Sequence, residues 1–475
     1  MGSLAGSGVS ASFDAGALVL MGNASALSTL LRTPERMFYT GQAGEMKTTL
    51  TVVSTGAAIN TVIVLQKDQV IDYADRSVTS ETGAVITEDD RSLDILTGTG
   101  KSLTLDFDGQ RGALLRASGG IDAQLAGFVS LGGTMSIEKS SPRMTLANGT
   151  TVQTDTLTIG GANLQAFVGL NGPYRSDTND DGLINLDDEP NPEAIGLSAV
   201  GGEFGLVLAW ERALGQTTSG QTTLNAGRNW MALRAGLAEA AMVGVPSITA
   251  AGRDIEVAIN LVNNTKAGTL EREQVLDFGD QAFTVYTGYN TTTVIDLEGD
   301  RGEMIRASGA FEFNIADFVQ AHGALGFEKY TTTVVTADGT SVDVDALAIG
   351  GTGLSAFAGI GGPYFADTNF DGRIDAQGTR NPDARGFVLD QAEFALALLS
   401  PVADSTELVG ARWTALELSA NKVGFLGGES LTLTASNVLV ELNLVEGLAD
   451  TQDPFEKVLD LEARSIDVGV ATGRT

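Results

Sequence analysis

The sequence predicts an all-β protein made of tandem, mainly antiparallel β repeat units of about 190 residues that form an elongated array. Positions 97–196 align without a gap with positions 287–386, and about forty of these hundred residue pairs are identical. Apolar and polar residues alternate at period two along much of the repeat, which is typical of strands with one buried face. No segment shows a long, capped helical period of comparable strength.

The repeat also predicts the domain boundaries. Residues 1–96 form a diverged or partial N-terminal repeat, residues 97–286 form repeat one, and residues 287–475 form repeat two, which runs into the start of a further copy. The offset between matching positions falls from 190 to 183 across the polar segment 216–223, where a loop would tolerate a change of length. A chain that begins and ends out of phase with its repeat indicates a window from a longer array.

One strand pattern illustrates the period-two alternation. Within residues 121–137, Ile121, Leu131 and Ile137 share the face that we expect to be buried, while Ser130 lies on the other face. This segment is longer than a usual strand, so we expect a bend near Gly127 or the pair 132–133.

Two turns and two indoles recur at matching positions. Asn148-Gly149 and Asp338-Gly339 each separate apolar-alternating arms, and both pairs suit a type I′ hairpin turn. Trp230 matches a second tryptophan 183 positions later, and we expect both to pack in the core.

The composition limits the chemistry of the chain. Its 475 residues include 60 acidic side chains against 29 lysines and arginines, for a formal net charge of -31. We therefore expect no nucleic-acid partner, because contacts to phosphates need clustered cations. Cysteine is absent and histidine occurs once, which excludes disulfides, thiolate zinc sites and any site with two imidazoles. No run of about 18 apolar residues occurs, so we expect no membrane span.

One acidic loop in each repeat matches the first nine positions of an EF-hand calcium loop. Oxygen side chains stand at positions 1, 3, 5 and 9, a backbone carbonyl is available at position 7, and glycine at position 6 permits the sharp turn. The candidate ligands are Asp177, Asn179, Asp181, Leu183 and Asn185 in repeat one, and Asp367, Asn369, Asp371, Arg373 and Asp375 in repeat two. Because both repeats keep these positions, the pattern predicts one calcium ion per repeat, although a solvated turn rich in Asp and Asn remains the alternative.

The last ligand of the EF-hand pattern is less regular. Position 12 is Asp188 in repeat one but Gly378 in repeat two. The next acids that both repeats share are Glu193 and Asp383, and we expect these to complete the ligand shell. The segments before the loops are poor helix formers, so the loops are EF-hand-like elements in a β context, and the ion would be structural.

The sequence offers little evidence for catalysis. An enzyme should carry a unique polar cluster, and no such cluster stands out from the repeat, so we predict no enzymatic activity and no catalytic residue. His322 is the lone histidine; its strand pattern places it on a polar face, where an exposed side chain is expected.

These features together resemble the tandem repeats of giant bacterial secreted or surface proteins, of the adhesin and RTX-adhesin kind. The resemblance rests on the repeat length, the absence of cysteine, the acidic balance and the Asp-x-Asn-x-Asp-Gly loops, and it lacks the Gly-Gly-x-Gly-x-Asp nonapeptides of RTX arrays. It implies an extracellular or cell-surface location and a structural or adhesive module of a fibre, rigidified by calcium. Its partners would be neighbouring repeats of the same chain or fibre, with a cell-surface or glycan ligand as a further partner.

A second hypothesis stays open. Long alternating strands with small residues on one face, such as Ala395 and Ala397, could form an open β groove that holds a lipid or a glycan. The chain would then be a binding module rather than a stalk.

Overall fold

The computed structural model confirms an almost entirely β protein with large antiparallel sheets. The structure describes residues 2–3, 9–14, 17–22, 50–52, 61–63, 77–79, 85–87, 92–107, 113–212, 216–218, 221–223, 227–266, 271–366, 368, 379–403, 405–427, 431–449 and 452–462. The chain divides into two compact units, Met1–Ala113 and Leu114–Thr475.

The first unit contains short antiparallel strands. Their bounds are β1 Gly2–Ser3, β2 Val9–Asp14, β3 Ala17–Gly22, β4 Leu50–Val52, β5 Thr61–Ile63, β6 Ser77–Thr79, β7 Val85–Thr87, β8 Leu93–Gly98 and β9 Lys101–Leu105. Strands β1, β2 and β3 form one sheet, and β4–β5, β6–β7 and β8–β9 form hairpins.

The second unit is dominated by one large antiparallel sheet. Its strand bounds are β10 Leu115–Leu125, β11 Val129–Ser140, β12 Arg143–Thr145, β13 Thr151–Leu170, β14 Ile195–Glu211, β15 Gln216–Thr218, β16 Gln221–Thr223, β17 Asn229–Val243, β18 Ile248–Asn263, β19 Phe283–Tyr286, β20 Thr292–Ile295, β21 Met304–Ile315, β22 Val319–Val335, β23 Ser341–Ile360, β24 Phe365–Ala366, β25 Thr379–Arg380, β26 Arg385–Pro401, β27 Arg412–Leu426 and β28 Thr432–Glu446. The sheet order is β10-β11-β13-β14-β17-β18-β21-β22-β23-β26-β27-β28, and β12 pairs with β13. Each long strand therefore pairs with the next long strand in the chain.

Helices contribute little to the described residues. They are the 3-10 turns Glu271–Glu273 and Gly299–Arg301 and the single-turn α1, Pro454–Lys457. Asp453 caps α1, since its side chain accepts a hydrogen bond from the backbone N–H of Phe455 at 3.0 Å. Among the described residues, no helix has the length and apolar character needed to cross a membrane.

The strands of the large sheet follow the sequence offset. β13 and β23 start 190 positions apart and are both 20 residues long, and β14 and β26 keep the same offset at 17 residues. β17 and β27 start 183 positions apart and are both 15 residues long. The change of offset thus falls in the connections 212–228 and 402–411. Because β18 pairs with β21, the sheet continues from repeat one into repeat two, and the predicted domain boundary at residue 286 stays a prediction.

A short segment closes each repeat. We call residues 273–277 strap one; it pairs with the β12–β13 turn, where Ala147 N donates to Val275 O at 3.0 Å. Residues 456–460 are strap two, and Ala337 N donates to Val458 O at 2.9 Å. An indole anchors each strap, because Nε1 of Trp230 donates to Gln274 O at 2.7 Å and Nε1 of Trp413 donates to Lys457 O at 2.7 Å.

The two tryptophans lie in two main apolar cores, as expected. Trp230 is 2% exposed and packs with Leu146, Leu276 and Ile295 beneath strap one. Trp413 is 1% exposed, and its core contains Val344, Leu399 and Leu459 beneath strap two. Burying an aromatic side chain and satisfying its N–H together account for the fixed position of each strap.

The face of the sheet that we expected to be buried is the exposed one. We name the face carrying Ile121, Leu131 and Ile137 the open face, because these side chains are 37%, 44% and 47% exposed. The opposite, covered face carries small and polar residues such as Ser136 and Ser140, and the straps and the hairpin β19–β20 pack on it.

Glycines in the sheet explain why the β19–β20 hairpin packs on the covered face. A Cβ atom at Gly160 would lie 2.3 Å from the carbonyl oxygen of Tyr286 in β19. A Cβ atom at Gly205 would lie 2.8 Å from Cγ2 of Thr293 in β20. The hairpin can approach the sheet only because these two positions lack side chains.

Two local expectations also need correction. Residues 121–137 do not form one bent strand, because the chain reverses at residues 126–128 and β10 pairs back onto β11. The register with β13 does shift between Gly132 and Thr134, where β13 carries one extra residue. The hairpins at Asn148-Gly149 and Asp338-Gly339 occur where predicted, but only the glycines have positive φ, +76° and +83°. The turn therefore has three residues with a glycine bulge rather than the type I′ form.

Candidate metal centre

The acidic loop of repeat one connects β13 to β14 and starts from a small apolar core. Phe167 at the end of β13 packs with Ala194, just before β14. The side chain of Asn191 donates to Asn171 O at 2.8 Å, which brings the two ends of the connection together. Nη1 of Arg175 donates to the carbonyl oxygens of Leu186 and Asp188, so the base of the loop is closed by backbone acceptors.

The predicted ligand side chains organise the loop through hydrogen bonds to its own backbone. Asp177 accepts from Asp181 N at 3.1 Å and from Gly182 N at 2.9 Å through its two carboxylate oxygens. Asn179 Oδ1 also accepts from Asp181 N, at 3.1 Å. Asp181 Oδ1 accepts from Leu183 N at 2.8 Å. The three oxygen side chains therefore turn toward the same coil of backbone, as the EF-hand spacing requires.

The rest of the loop follows the same pattern. Asn185 Oδ1, at position 9, accepts from the backbone N–H two residues later, Asp187 N, at 2.7 Å. Asp181 makes the same kind of turn with Leu183 N. Gly182, at position 6, has φ +82°, a conformation that glycine adopts without strain. Asp180 has φ +60°, which Asp tolerates better than most residues. The loop has the sharp turn that the sequence predicted.

Asp188 holds the two halves of the loop together. Its Oδ1 accepts from Thr178 N at 2.8 Å, its Oδ2 accepts from Asn185 N at 2.9 Å, and the side chain is 2% exposed. These backbone N–H donors, Asn185 first and Thr178 second, hold the pKa of Asp188 below its ordinary value. Thr178 Oγ1 in turn accepts from Glu189 N at 3.0 Å. Sequence spacing placed Asp188 at position 12 but did not reveal that its carboxylate binds two backbone N–H groups of the loop. It also did not identify Thr178 as a residue that holds the loop.

Glu193 lies after the loop, where its backbone is held by asparagine side chains. Its N–H donates to Asn191 Oδ1 at 3.0 Å, and its carbonyl accepts from Asn171 Nδ2 at 3.0 Å. Asp188, and not Glu193, is the carboxylate seen bonded to the loop. The expected role of Glu193 in completing the shell stays a prediction.

Most of the loop of repeat two lies outside the described residues, including Asp367, Asn369, Asp371, Arg373 and Asp375. The residues around it match repeat one. Thr368, the counterpart of Thr178, accepts from Thr379 N at 3.2 Å, again eleven positions later. Asp383 N donates to Asn381 Oδ1 at 2.8 Å, as Glu193 does to Asn191.

The donor set of the repeat-one loop fits a hard cation. Its oxygens come from two carboxylates (Asp177 and Asp181), two amides (Asn179 and Asn185) and the Leu183 carbonyl, and calcium takes such ligands. Within the part of the chain that the structure describes, no group of three or more acidic or histidine side chains is arranged to share a metal. A site here would therefore depend on amide and carbonyl oxygens as much as on charge.

The lone histidine is buried, so the expectation of an exposed side chain was wrong. His322 is 4% exposed and lies on the covered face, with its ring edge-on to Phe365 at a centroid distance of 4.9 Å. Its cross-strand neighbours are Glu312 and Ser355. The small residues of the covered face leave room for the ring, whereas the matching position in repeat one is Gly132.

The fold and the loop together define an all-β protein with an oxygen-rich acidic loop beside an antiparallel sheet. Comparisons with protein-family models, curated proteins and solved structures found no match to this chain.

Proposed function

We propose that the chain is a structural or adhesive repeat module of an extracellular fibre or surface protein, with no enzymatic role, and that each repeat is rigidified by one calcium ion. The observation that carries the proposal is the hydrogen-bond pattern of Asp177, Asn179 and Asp181, which directs their oxygens to one coil of backbone. Neighbouring repeats are its nearest partners, as the pairing of β18 with β21 suggests.

Charge in the loop supports a bound cation. Residues 177–189 include six acidic side chains. The backbone N–H groups that bond to them carry only partial charges, so the carboxylates still repel one another. Calcium, when bound, would supply the positive charge that offsets this repulsion. Asp188 and Thr178 would keep the backbone in place around the ligands, so that the long β13–β14 connection stays rigid.

Calcium titration tests the proposal. We expect calorimetry to detect binding to the full chain and calcium to raise its melting temperature, because a ligand that binds only the folded state stabilises it by about 2.7 kcal/mol at 100 times Kd. Asp177→Asn and Asp181→Asn should weaken binding to the loop of repeat one. Asp187→Asn is the matched control, because it removes the same charge from the same loop outside the predicted ligand positions.

Two results would contradict the calcium proposal. A melting temperature that is the same in calcium and in chelator, with no heat of binding, would show that the chain does not bind calcium. Equal effects of the Asp177→Asn and Asp187→Asn substitutions would show that the loop attracts cations only as a diffuse negative patch.

A second candidate function is supported by a depression on the open face of repeat one. Its volume is about 310 Å³, and its lining is almost entirely apolar: Ala166, Val168, Leu197, Ala199, Ala240, Met242 and Ala250, with Ser198 and Ala241. Such a lining favours a hydrocarbon chain over a glycan, because a sugar needs hydrogen-bonding groups. The chain would then be a groove module for a lipid.

Native mass spectrometry of the purified chain would test the lipid hypothesis directly. We expect a fatty acid added at micromolar concentration to remain bound, and Ala199→Leu together with Ala240→Val to abolish binding by filling the depression. Binding that survives both substitutions would place the lipid elsewhere and remove the support for this candidate.

A further inference from the structure

The joint between the two repeats shows how one repeat meets the next. β18 pairs with β21 antiparallel, from Ile248 opposite Ile315 to Asn260 opposite Met304. The register shifts by one residue between Arg253 and Glu256, so β18 carries one extra residue there. Asp254 within this bulge has φ +49°. The bulge is therefore part of the fit between the two repeats.

β28 is the counterpart of β18 and has a residue with positive φ at the same position, at an edge of the sheet. Asn437, which is 183 positions after Asp254, has φ +52°. The pairing of β28 with β27 keeps one register on both sides of that residue, with Ala420 opposite Val438 and Lys422 opposite Ser436. No described strand pairs with the other edge of β28. The edge is thus shaped for a strand of the β21 type.

The strand at this edge is long and lacks two of the features that commonly protect edge strands, lysine and proline. Natural edges are short or carry lysine or proline, which discourages pairing with another chain. β28 is 15 residues long and contains neither lysine nor proline. Leu439 is 58% exposed and Val440 is 45% exposed. This edge favours the addition of a strand.

Charges on the covered face indicate which strand fits. Glu417 on β27 lies directly opposite Glu441 on β28, and like charges in that arrangement repel. Arg306 on β21 stands opposite Ala258, the residue of β18 that matches Glu441. β10 has the corresponding arginine, Arg116. Arg116 stacks on the ring of Tyr286 and lies 3.9 Å from Glu138, and a strand of this type would place this arginine directly opposite Glu441.

We propose that the outer edge of β28, with which no described strand pairs, binds strand β10 of a second molecule of this chain, antiparallel and in the register of β18 with β21. In that register Glu441 lies opposite Arg116, and Val440 lies opposite Ala117. The proposal rests on the structural role proposed above, since it is the way in which one module would join another. It does not depend on calcium, because neither strand contains a loop ligand.

Disulfide cross-linking tests the register, because the chain has no cysteine of its own. Full-length Val440→Cys and Ala117→Cys variants are mixed and mildly oxidised, and the product is mapped by mass spectrometry. Directly opposite residues in antiparallel strands lie within the Cα separation that a disulfide spans. We expect a cross-linked heterodimer joined through positions 117 and 440.

A one-residue shift provides the control. Ser118→Cys mixed with Val440→Cys should give at least about tenfold less product, because adjacent strand residues point to opposite faces. Equal yields from the two mixtures, or no product from the first, would overturn the proposal. A Val440→Cys homodimer would also overturn it, because it would show that two β28 edges pair with each other.

Charge reversal gives a second readout. Glu441→Lys should lower the yield of the 117–440 product severalfold, because it places a cation opposite Arg116. Glu417→Lys, the same charge change one strand further from the edge, should lower it less. Equal losses from the two variants would contradict the predicted contact with Arg116.

Cross-linking with and without calcium distinguishes edge pairing from the calcium proposal. The cross-link should form equally well in chelator, so a calcium-free protein that still yields the 117–440 product supports edge pairing even if the calcium proposal fails. Loss of the product in a calcium-loaded protein with an intact loop would refute edge pairing alone.

Discussion

Repeat one and repeat two close their cores with the same indole-to-strap hydrogen bond but surround it with different chemistry. In repeat one, Glu211 bonds to Arg228 through two hydrogen bonds of 3.0 Å, and Lys266 also bonds to this carboxylate. At the matching positions repeat two has Pro401, Ala411 and Ala449. Ala411 is buried in the apolar core around the second tryptophan.

This difference separates what the fold requires from what it tolerates. Both repeats have the same strand lengths and the same hydrogen bond from an indole to the strap, so we infer that the fold requires these features. Arg228 of the buried ion pair stands where repeat two has the core residue Ala411, consistent with the small net contribution of buried pairs relative to well-packed apolar residues. The two repeats thus serve as controls for each other.

The largest expected loss of stability comes from removing either tryptophan, and it should be equal in the two repeats. Trp230→Ala and Trp413→Ala should each destabilise the chain by about 3–5 kcal/mol, because each leaves a cavity and an unpaired carbonyl on its strap. Denaturant unfolding of the two variants provides the measurement. A loss confined to one repeat would show that the matching hydrogen bonds of 2.7 Å do not have matching roles.

The ion pair should show the next largest effect, and only in repeat one. Glu211→Gln should cost about 2–4 kcal/mol, because it leaves the buried guanidinium of Arg228 without its counter-charge. Adding Arg228→Ala, the residue of repeat two, should restore much of the loss. Urea unfolding of the single and double variants measures this, and a double variant less stable than Glu211→Gln would contradict the explanation.

The same pair predicts a pH dependence. Burial alone would raise the pKa of Glu211, but the hydrogen bonds from Arg228 and Lys266 outweigh it and lower the pKa to about 2. Because the folded-state pKa lies below the unfolded value of about 4.3, the stabilisation is present above that value and is lost as pH falls toward 2. The stability difference between the parent chain and Glu211→Gln should therefore shrink across that interval in acid titrations followed by circular dichroism. A difference that stays constant would contradict the lowered pKa.

Substitution of Asp188 should have a smaller effect, on calcium affinity, and it tests the difference between the two loops directly. Asp188→Gly introduces the residue of repeat two, Gly378, and should weaken calcium binding to the first loop about tenfold, because the backbone around the ligands loses its support. Calorimetry measures the change. Asp187→Gly is the control, and equal weakening by both would show that the carboxylate of Asp188 acts by charge rather than by its hydrogen bonds.

The smallest expected effect concerns the open face. Repeat two has Phe387 and Phe425 where the depression of repeat one has Leu197 and Met242, and the two rings touch at a centroid distance of 5.2 Å. Leu197→Phe with Met242→Phe should fill the depression and change the unfolding free energy by less than about 1.5 kcal/mol. Thermal unfolding measures this, and a large loss would show that the depression is already filled.

Much of the strand framework could be predicted from the sequence. The alternation at period two gave the all-β class, and the change of offset near residues 216–223 located the variable connection between β14 and β17. The covered face was predicted wrongly, because alternation defines two faces without indicating which one later segments will cover. Gly160 and Gly205 were the available signal, since their positions admit a backbone from β19 and β20.

The candidate site was predictable only in part. The spacing of Asp177, Asn179 and Asp181 indicated three oxygen side chains that do turn toward one coil of backbone, because the EF-hand pattern is local in sequence, and their role as ligands stays a prediction. Asp188 accepts from backbone N–H groups ten and three positions away, and Thr178 accepts from one eleven positions away, which residue identity does not reveal. His322 was misjudged because the matching glycine in repeat one gave no information about what covers it.

The straps have a consequence for the order in which the chain folds. Each long strand pairs with its nearest long neighbour in sequence, so pairing along the sheet involves short loops and little closure entropy. The contact between Leu146 and Leu276 instead spans most of a repeat. A ribosome would therefore release a repeat with its strands already able to pair and its core still exposed until the strap emerged. Burial of each core thus depends on segments that are synthesised after the strands that they cover.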